Sequence, residues 1–219
     1  RDIAKQVLLA ILMLILLSVL IPARAEEAVS PMIVSETANS TEYPALEADI
    51  PVITSEGKSN VKIAGVKSKN KLVRYTIPET LLRADENFLA LMVEAEKYIG
   101  YPYVYGGSKP STGFDCSGFV CWVFRQSGVY DTGRLGAKGL YSLCTDVSRD
   151  EARPGDLVFF TKTMGADVKG ITHVGIYVGN DMMLHAGDPV GFADLQSDKW
   201  AKIYAFGRLP VQQGAQADE

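Results

Sequence analysis

Phe114-Asp115-Cys116-Ser117-Gly118-Phe119-Val120, running on through Cys121-Trp122-Val123-Phe124 to Gly128, is the stretch on which the reading of this chain turns. Phe119, Val120, Val123 and Phe124 recur at helical spacing, which predicts a helix from about Asp115 to Ser127 with one apolar stripe. Asp115 stands where a side-chain oxygen caps the first turn, and Gly128 where a left-handed residue closes the last. Cys116 heads the stripe. A helix start carries about half a positive charge and unpaired N–H groups. The spacing therefore predicts a thiol of lowered pKa with donors aimed at an oxyanion beside it. A cysteine taken alone is more often a buried structural residue; the Asp-Cys-Ser-Gly setting favours a nucleophile.

Upstream, Asp85 reads as an N-cap, and Phe88, Leu91, Met92, Ala95, Tyr98 and Ile99 fall on one helical face that ends at Gly100. Tyr101-Pro102-Tyr103-Val104-Tyr105-Gly106-Gly107 is extended, with its alternating tyrosines expected on a packed aromatic face. Downstream, an irregular stretch leads to the expected strands Leu157–Phe160, His173–Val178, Met182–His185 and about Ile203–Arg208, joined by hairpins. Helices first and strands afterwards predict an α+β domain with N-terminal helices packed on one side of an antiparallel β-sheet.

A thiolate needs a base that can return a proton to a leaving amine, which suits imidazole. The chain has two histidines, His173 and His185, and both fall in one expected hairpin. A three-residue Gly179-Asn180-Asp181 loop would pair Val178 with Met182 and set His185 opposite Gly175, with both imidazoles on one face. A two-residue Asn-Asp loop would put them on opposite faces. A satisfied structural histidine is the plain alternative for each. Neither His-Glu-x-x-His nor Cys-x-x-Cys occurs, so a metal site is not expected.

The chain has 219 residues, a net charge of −4 and a pI near 5.3. No run of five basic residues occurs, so a nucleic-acid partner has no electrostatic footprint. Arg1 and Lys5 precede the apolar run Val7–Ile21, and Ala23-Arg24-Ala25 follows. Residues 1–25 thus read as a secretory signal peptide, or alternatively as a membrane anchor through residues 7–21. Either places the remainder outside the membrane. Residues 26–78, rich in Ser, Thr, Glu, Lys and Pro, read as a largely unstructured linker in which Lys67, Lys69 and Lys71 form a solvated cluster. The catalytic domain is expected at 79–212 and a disordered tail at 213–219. The cysteines number three, Cys116, Cys121 and Cys144, an odd count that points to a free thiol rather than a disulfide framework.

Pro102-Tyr-Val-Tyr-Gly-Gly, Phe114-Asp-Cys-Ser-Gly-Phe-Val, Arg153-Pro-Gly-Asp-Leu-Val-Phe-Phe, His173-Val-Gly-Ile-Tyr-Val-Gly and Leu184-His-Ala-Gly, in this order, resemble the NlpC family of papain-like cysteine peptidases. The resemblance covers roughly residues 85–210 and implies a papain-like fold. It implies Cys116 as nucleophile, His173 as general base, His185 as the polar residue orienting it, and Tyr103 beside the oxyanion. Asp115 and Ser117 would grip the free amine end of a peptidoglycan stem peptide. The bond cut would follow the side chain of D-glutamate, by acyl transfer through a thioester with no cofactor. An amidase or cross-bridge endopeptidase on the same thiol, an acyltransferase and a non-catalytic wall-binding scaffold are the competing readings. Residues 131–146 replace the family's short arginine-threonine-serine loop with a longer insert, and no preceding wall-binding module is recognisable.

Overall fold

The computed structural model describes residues 49–165 and 167–211. The expectations for residues 1–25, for 26–48 and for the 213–219 tail fall outside the described residues.

Residues 49–78 do not behave as the expected linker. Ile53 and Ile77 are fully buried in the main core, and the short strands β1 (Lys62–Ile63) and β2 (Val66–Lys67) form a hairpin. The Ser55 hydroxyl donates to the Val73 carbonyl (2.6 Å), the Val61 N–H donates to the Gly100 carbonyl (3.0 Å), and the Tyr75 ring meets Phe192 edge-on. Two isolated apolar anchors, held by scattered backbone and side-chain hydrogen bonds, leave no periodic trace, which is why the segment reads as unstructured.

The two expected helices form close to where they are expected. After a short α1 (Glu79–Arg83), α2 spans Glu86–Glu96; the Asp85 carboxylate accepts from the Phe88 N–H at its start, and Gly100 beyond it has φ +94°. The small strands β3 (Ser108–Lys109) and β4 (Gly113–Phe114) lead into α3, Cys116–Gln126. Phe119, Val120, Val123 and Phe124 are all buried, and each phenylalanine so placed stabilises the fold by roughly 1.5–3 kcal/mol relative to exposure. The stretch expected to be irregular contains α4 (Ala137–Leu143), β5 (Thr145–Val147) and a 3-10 turn.

Strands β6 (Leu157–Thr161), β7 (Ile171–Gly179), β8 (Met182–Ala186), β9 (Val190–Asp194) and β10 (Ile203–Arg208) join β5 in a six-stranded antiparallel sheet of order β5-β10-β6-β7-β8-β9. Val174, Ile176 and Val178 of β7 and Leu184 of β8 pack into the core under the helices. On the opposite face Tyr177 of β7, with Phe160, Met183 and Trp200, packs in a second, smaller cluster. The fold is α+β and papain-like, with the expected layering.

The hairpin that carries the histidines differs in its loop. Asn180 and Asp181 alone form the turn, both at positive φ (52° and 54°), and Gly179 rather than Val178 pairs with Met182. Taken alone, this loop would separate the imidazoles. A β-bulge at Val178 then adds one residue to β7, so that Tyr177 pairs with Met183 and Ile176 with Leu184. The bulge restores the register that a three-residue loop would have produced, and His185 lies beside Gly175.

Candidate active site

Cys116 is the first residue of α3, and Asp115 is its N-cap. One carboxylate oxygen of Asp115 accepts from the Gly118 N–H (2.6 Å) and from the Ser117 hydroxyl (3.0 Å). Gly118 has no room for a side chain, because a Cβ there would run into the carbonyl of Gly107. The glycine loop after Tyr105 is thereby locked onto the start of the helix. Ser117 and Asp115 are both buried.

Arg134, absent from the residues expected at the site, completes this arrangement. Its guanidinium donates to the second Asp115 oxygen (2.7 Å) and to the Ser117 hydroxyl (3.1 Å). Cys121, one turn further along α3, exchanges weak hydrogen bonds with the backbone of Leu135, which fastens the same loop. The insert of residues 131–146 therefore still delivers an arginine to the nucleophile's flank. Its sequence signal is the single arginine of that loop, indistinguishable in one sequence from a solvated charge. The three cysteines are all free.

The Cys116 thiol contradicts the expected lowering of its pKa. Burial and then the neighbouring Asp115 carboxylate push it up, to about 11, against the opposing pull of three backbone N–H groups. A half-charge at a helix start does not outweigh removal from water next to a full negative charge. Those N–H groups belong to Val174, Ser117 and Cys116 itself. The β7–β8 ladder ends at the Ile176–Leu184 pair, which frees the Val174 amide to meet the sulfur.

Across the site, His173 Nε2 and His185 Nδ1 lie 2.7 Å apart, and both rings are buried. The space for the His185 ring is made by Gly187, where a Cβ would come within 2.9 Å of two ring atoms. Burial lowers the pKa of His173 to about 3 and that of His185 well below its ordinary value; the positive charge of Lys199 adds to both. Both imidazoles are thus neutral near neutral pH. Each neutral ring carries one N–H. If His173 Nε2–H donates to His185 Nδ1, then His173 Nδ1 keeps its lone pair and can accept a proton. Among the described residues no hydrogen bond joins the sulfur to the His173 ring; in substrate-free sites such bonds are commonly long and tighten on binding.

Tyr103 feels the charges of Cys116 and Asp115, and burial followed by these charges raises its pKa to about 12. Its hydroxyl therefore stays protonated and remains a donor. Tyr103, His173 and His185 line an open cleft of about 820 Å³, together with Tyr105, Lys162, Lys199 and Trp200. Cys116, Asp115 and Ser117 are not among the residues that line it. The tyrosines do not form the single packed face expected of them. Tyr101 packs edge-on against Tyr98, whereas Tyr105 is 78% exposed at the cleft mouth. Trp200, also unforeseen, stacks on His173. A tryptophan in a loop between strands gives no local sign of which ring it will meet.

A match to the NlpC/P60 family spans residues 100–208. The bifunctional muramidase/DL-endopeptidase CwlT of Bacillus subtilis is 46% identical over 121 residues, covering 54% of this chain and 36% of that protein. The gamma-DL-glutamyl hydrolase of Bacillus subtilis is 43% identical over 110 residues, 49% of this chain and 25% of the relative. The chain thus spans about a third or less of the length of these curated relatives. Among solved structures, a Staphylococcus aureus protein described as similar to lipoprotein, of the NLP/P60 family, is 41% identical. That match covers 57% of this chain and 42% of that one, with a TM-score of 0.53. The thiol at a helix start, the paired imidazoles of one hairpin and this match to residues 100–208 agree: the chain belongs to the NlpC/P60 family.

Proposed function

We propose that this protein is a cysteine endopeptidase that cuts peptidoglycan stem peptides between the side-chain carboxyl of D-glutamate and the following diamino acid. The observation that carries the reading is the 2.7 Å contact between His173 Nε2 and His185 Nδ1, beside a helix-start thiol that meets the amide of Val174, the residue after His173. A scaffold that only bound the wall would need neither imidazole buried against the other. The relatives described as a DL-endopeptidase and a gamma-DL-glutamyl hydrolase support the choice of bond.

In the proposed reaction His173 Nδ1 takes the thiol proton as the sulfur attacks the γ-carbonyl carbon. The raised pKa of the thiol and the lowered pKa of His173 favour proton transfer in step with the attack. The resulting oxyanion receives hydrogen bonds from the Tyr103 hydroxyl and from backbone N–H groups at the start of α3. Collapse expels the diamino acid's amine, which takes the proton from His173 and leaves a thioester on Cys116. Water, losing its proton to His173, then hydrolyses the thioester and restores the thiol. Asp115 and Ser117 hold the substrate's free amine in this reading. Asp115 already accepts three hydrogen bonds, which leaves one of about four acceptor sites for an ammonium group.

This chemistry belongs outside the membrane. We infer that residues 1–25 direct export, since Arg1 and Lys5, the Val7–Ile21 run and Ala23-Arg24-Ala25 have the order of a signal peptide. N-terminal sequencing of exported protein beginning at Glu26 would bear this out, and retention of residues 7–21 would show an anchor instead.

The deciding experiment incubates the protein and its Cys116→Ala variant with soluble stem-peptide fragments and identifies products by mass spectrometry. The expected result is a split after D-glutamate, with a fall of about 10⁴-fold or more in the variant. Cleavage at another bond would indicate an amidase or cross-bridge endopeptidase. Binding of wall fragments without cleavage by either protein would overturn the enzymatic reading.

A further inference from the structure

Trp200 lies in the loop between β9 and β10, remote in sequence from both histidines, yet its ring is packed on both. It stacks on His173 at 5.0 Å and 30° and meets His185 edge-on at 4.9 Å and 80°. Phe160 closes the far side, at 5.0 Å from Trp200 and 6.0 Å from His173. Trp200 itself is 7% exposed.

The loop that presents it is anchored to the hairpin turn. The Leu195 N–H donates to the Asp181 carbonyl (2.8 Å), and the Gln196 amide donates to the Asp181 carboxylate (2.7 Å). A tight turn then brings the Trp200 N–H to the Ser197 carbonyl (2.9 Å). The turn of the histidine hairpin thus also holds the residue that covers them.

We propose that Trp200 is a positioning residue for the imidazole pair, fixing the ring plane of His173 and sealing the His173–His185 hydrogen bond from water. The tautomer argument explains why such a seal matters. His173 can act as a base through Nδ1 only while its Nε2–H is donated to a neutral His185. Water admitted at that bond would compete for the Nε2–H and favour protonation of His185, turning the acceptor into a second donor. Burial of both rings, to which Trp200 contributes a face, holds them neutral. The charged and titratable groups that line the cleft with the pair are Tyr103, Tyr105, Lys162, Asp188, Asp198, Lys199 and Lys202. Lys199 Nζ sits 4.7 Å from the Trp200 ring centre, which places its charge against the indole face.

The chain has two histidines, so a pH titration of their ring signals by NMR reads the pair directly in the intact protein. In the wild type, neither is expected to titrate near its ordinary pKa. In Trp200→Ala at least one midpoint rises by about one pH unit or more, as solvation returns. In Trp200→Phe, which keeps a flat apolar ring, the midpoints stay close to wild type. Should the alanine variant fail to fold, Trp200→Leu, which fills the space without a ring, makes the same comparison. On stem peptides, the alanine or leucine variant is expected to lose about 10²-fold in kcat, with KM changing less than about threefold and phenylalanine rescuing most of the loss. Unchanged midpoints and kcat in a folded variant would overturn the proposal, as would a rise in KM alone, which would make Trp200 a substrate wall. The kinetic arm rests on the peptidase reading. The titration arm needs no activity, so failure of one is distinguishable from failure of the other.

Discussion

On the thiol side of the cleft, Asp115, Cys116 and Ser117 are consecutive, and one helix start arranges them, with the Arg134 side chain and the Val174 amide arriving from elsewhere. On the imidazole side, His173, His185 and Trp200 come from two strands and a loop, and their meeting depends on a bulge and a turn. The first arrangement follows from local preference, because a helix cap sets the backbone around it. The second exists only once the sheet has formed. The contrast extends to charge: the thiol sits beside a carboxylate, and the imidazoles lie where Lys199 is the principal charge. Burial first, and these charges after it, raise the thiol's pKa and lower those of the imidazoles.

The most severe test of this contrast is at His185. If His185 serves as an acceptor for His173 Nε2–H, His185→Leu should lower kcat by about 10²-fold or more, the range seen when partners that orient a reacting imidazole are lost. His185→Asn, which keeps a carbonyl acceptor, should recover part of it. Equal losses in both, measured on stem peptides, would remove the orienting role and leave His185 as packing.

A second test uses stability. The pKa values of both histidines are lowered on folding, so the unfolded chain binds more protons than the folded one as pH falls below 6.5. Stability present above that pH is then lost progressively towards the folded value of about 3 for His173. The slope contributed is about 1.4 kcal/mol per pH unit for each histidine. The difference in urea midpoints between wild type and His185→Asn, followed from pH 7 to pH 4.5, isolates this from carboxylate effects. A constant difference would mean that the rings are hydrated.

The smallest expected effect sharpens the thiol side. Arg134→Ala leaves the Asp115 carboxylate with its two local donors and removes the external one. Because the arginine is partly exposed, the cost should be modest, about 1–2 kcal/mol, read as a lower thermal midpoint. If Arg134 holds only the loop, kcat should be nearly unchanged. A fall in kcat with the helix intact would show that the nucleophile's placement depends on it.

How much of this was legible in advance follows the same division. The α3 boundaries, its cap and Cys116 at its head were readable because capping residues and 3.6-residue spacing act over one or two turns. The strands of the histidine hairpin were readable from their runs, but the loop expected to join them was one residue too long. The pairing of the imidazoles nevertheless came out as expected, because the bulge at Val178 compensates. Strand β9, helix α4 and the packed segment 49–78 were missed; each is short, and the segment is held by isolated anchors such as Ile53.

By itself, the sequence determined that a cysteine would head a capped helix, that two histidines would share a hairpin, and that helices would precede an antiparallel sheet. These follow from interactions between residues a few positions apart. Only the tertiary structure decided the direction of the thiol's pKa, the arrival of Arg134 at Asp115, and the stacking of Trp200 on the base. Each depends on burial or on contact between segments distant along the chain. Removal from water is a property of the assembled core, which no local run of residues encodes.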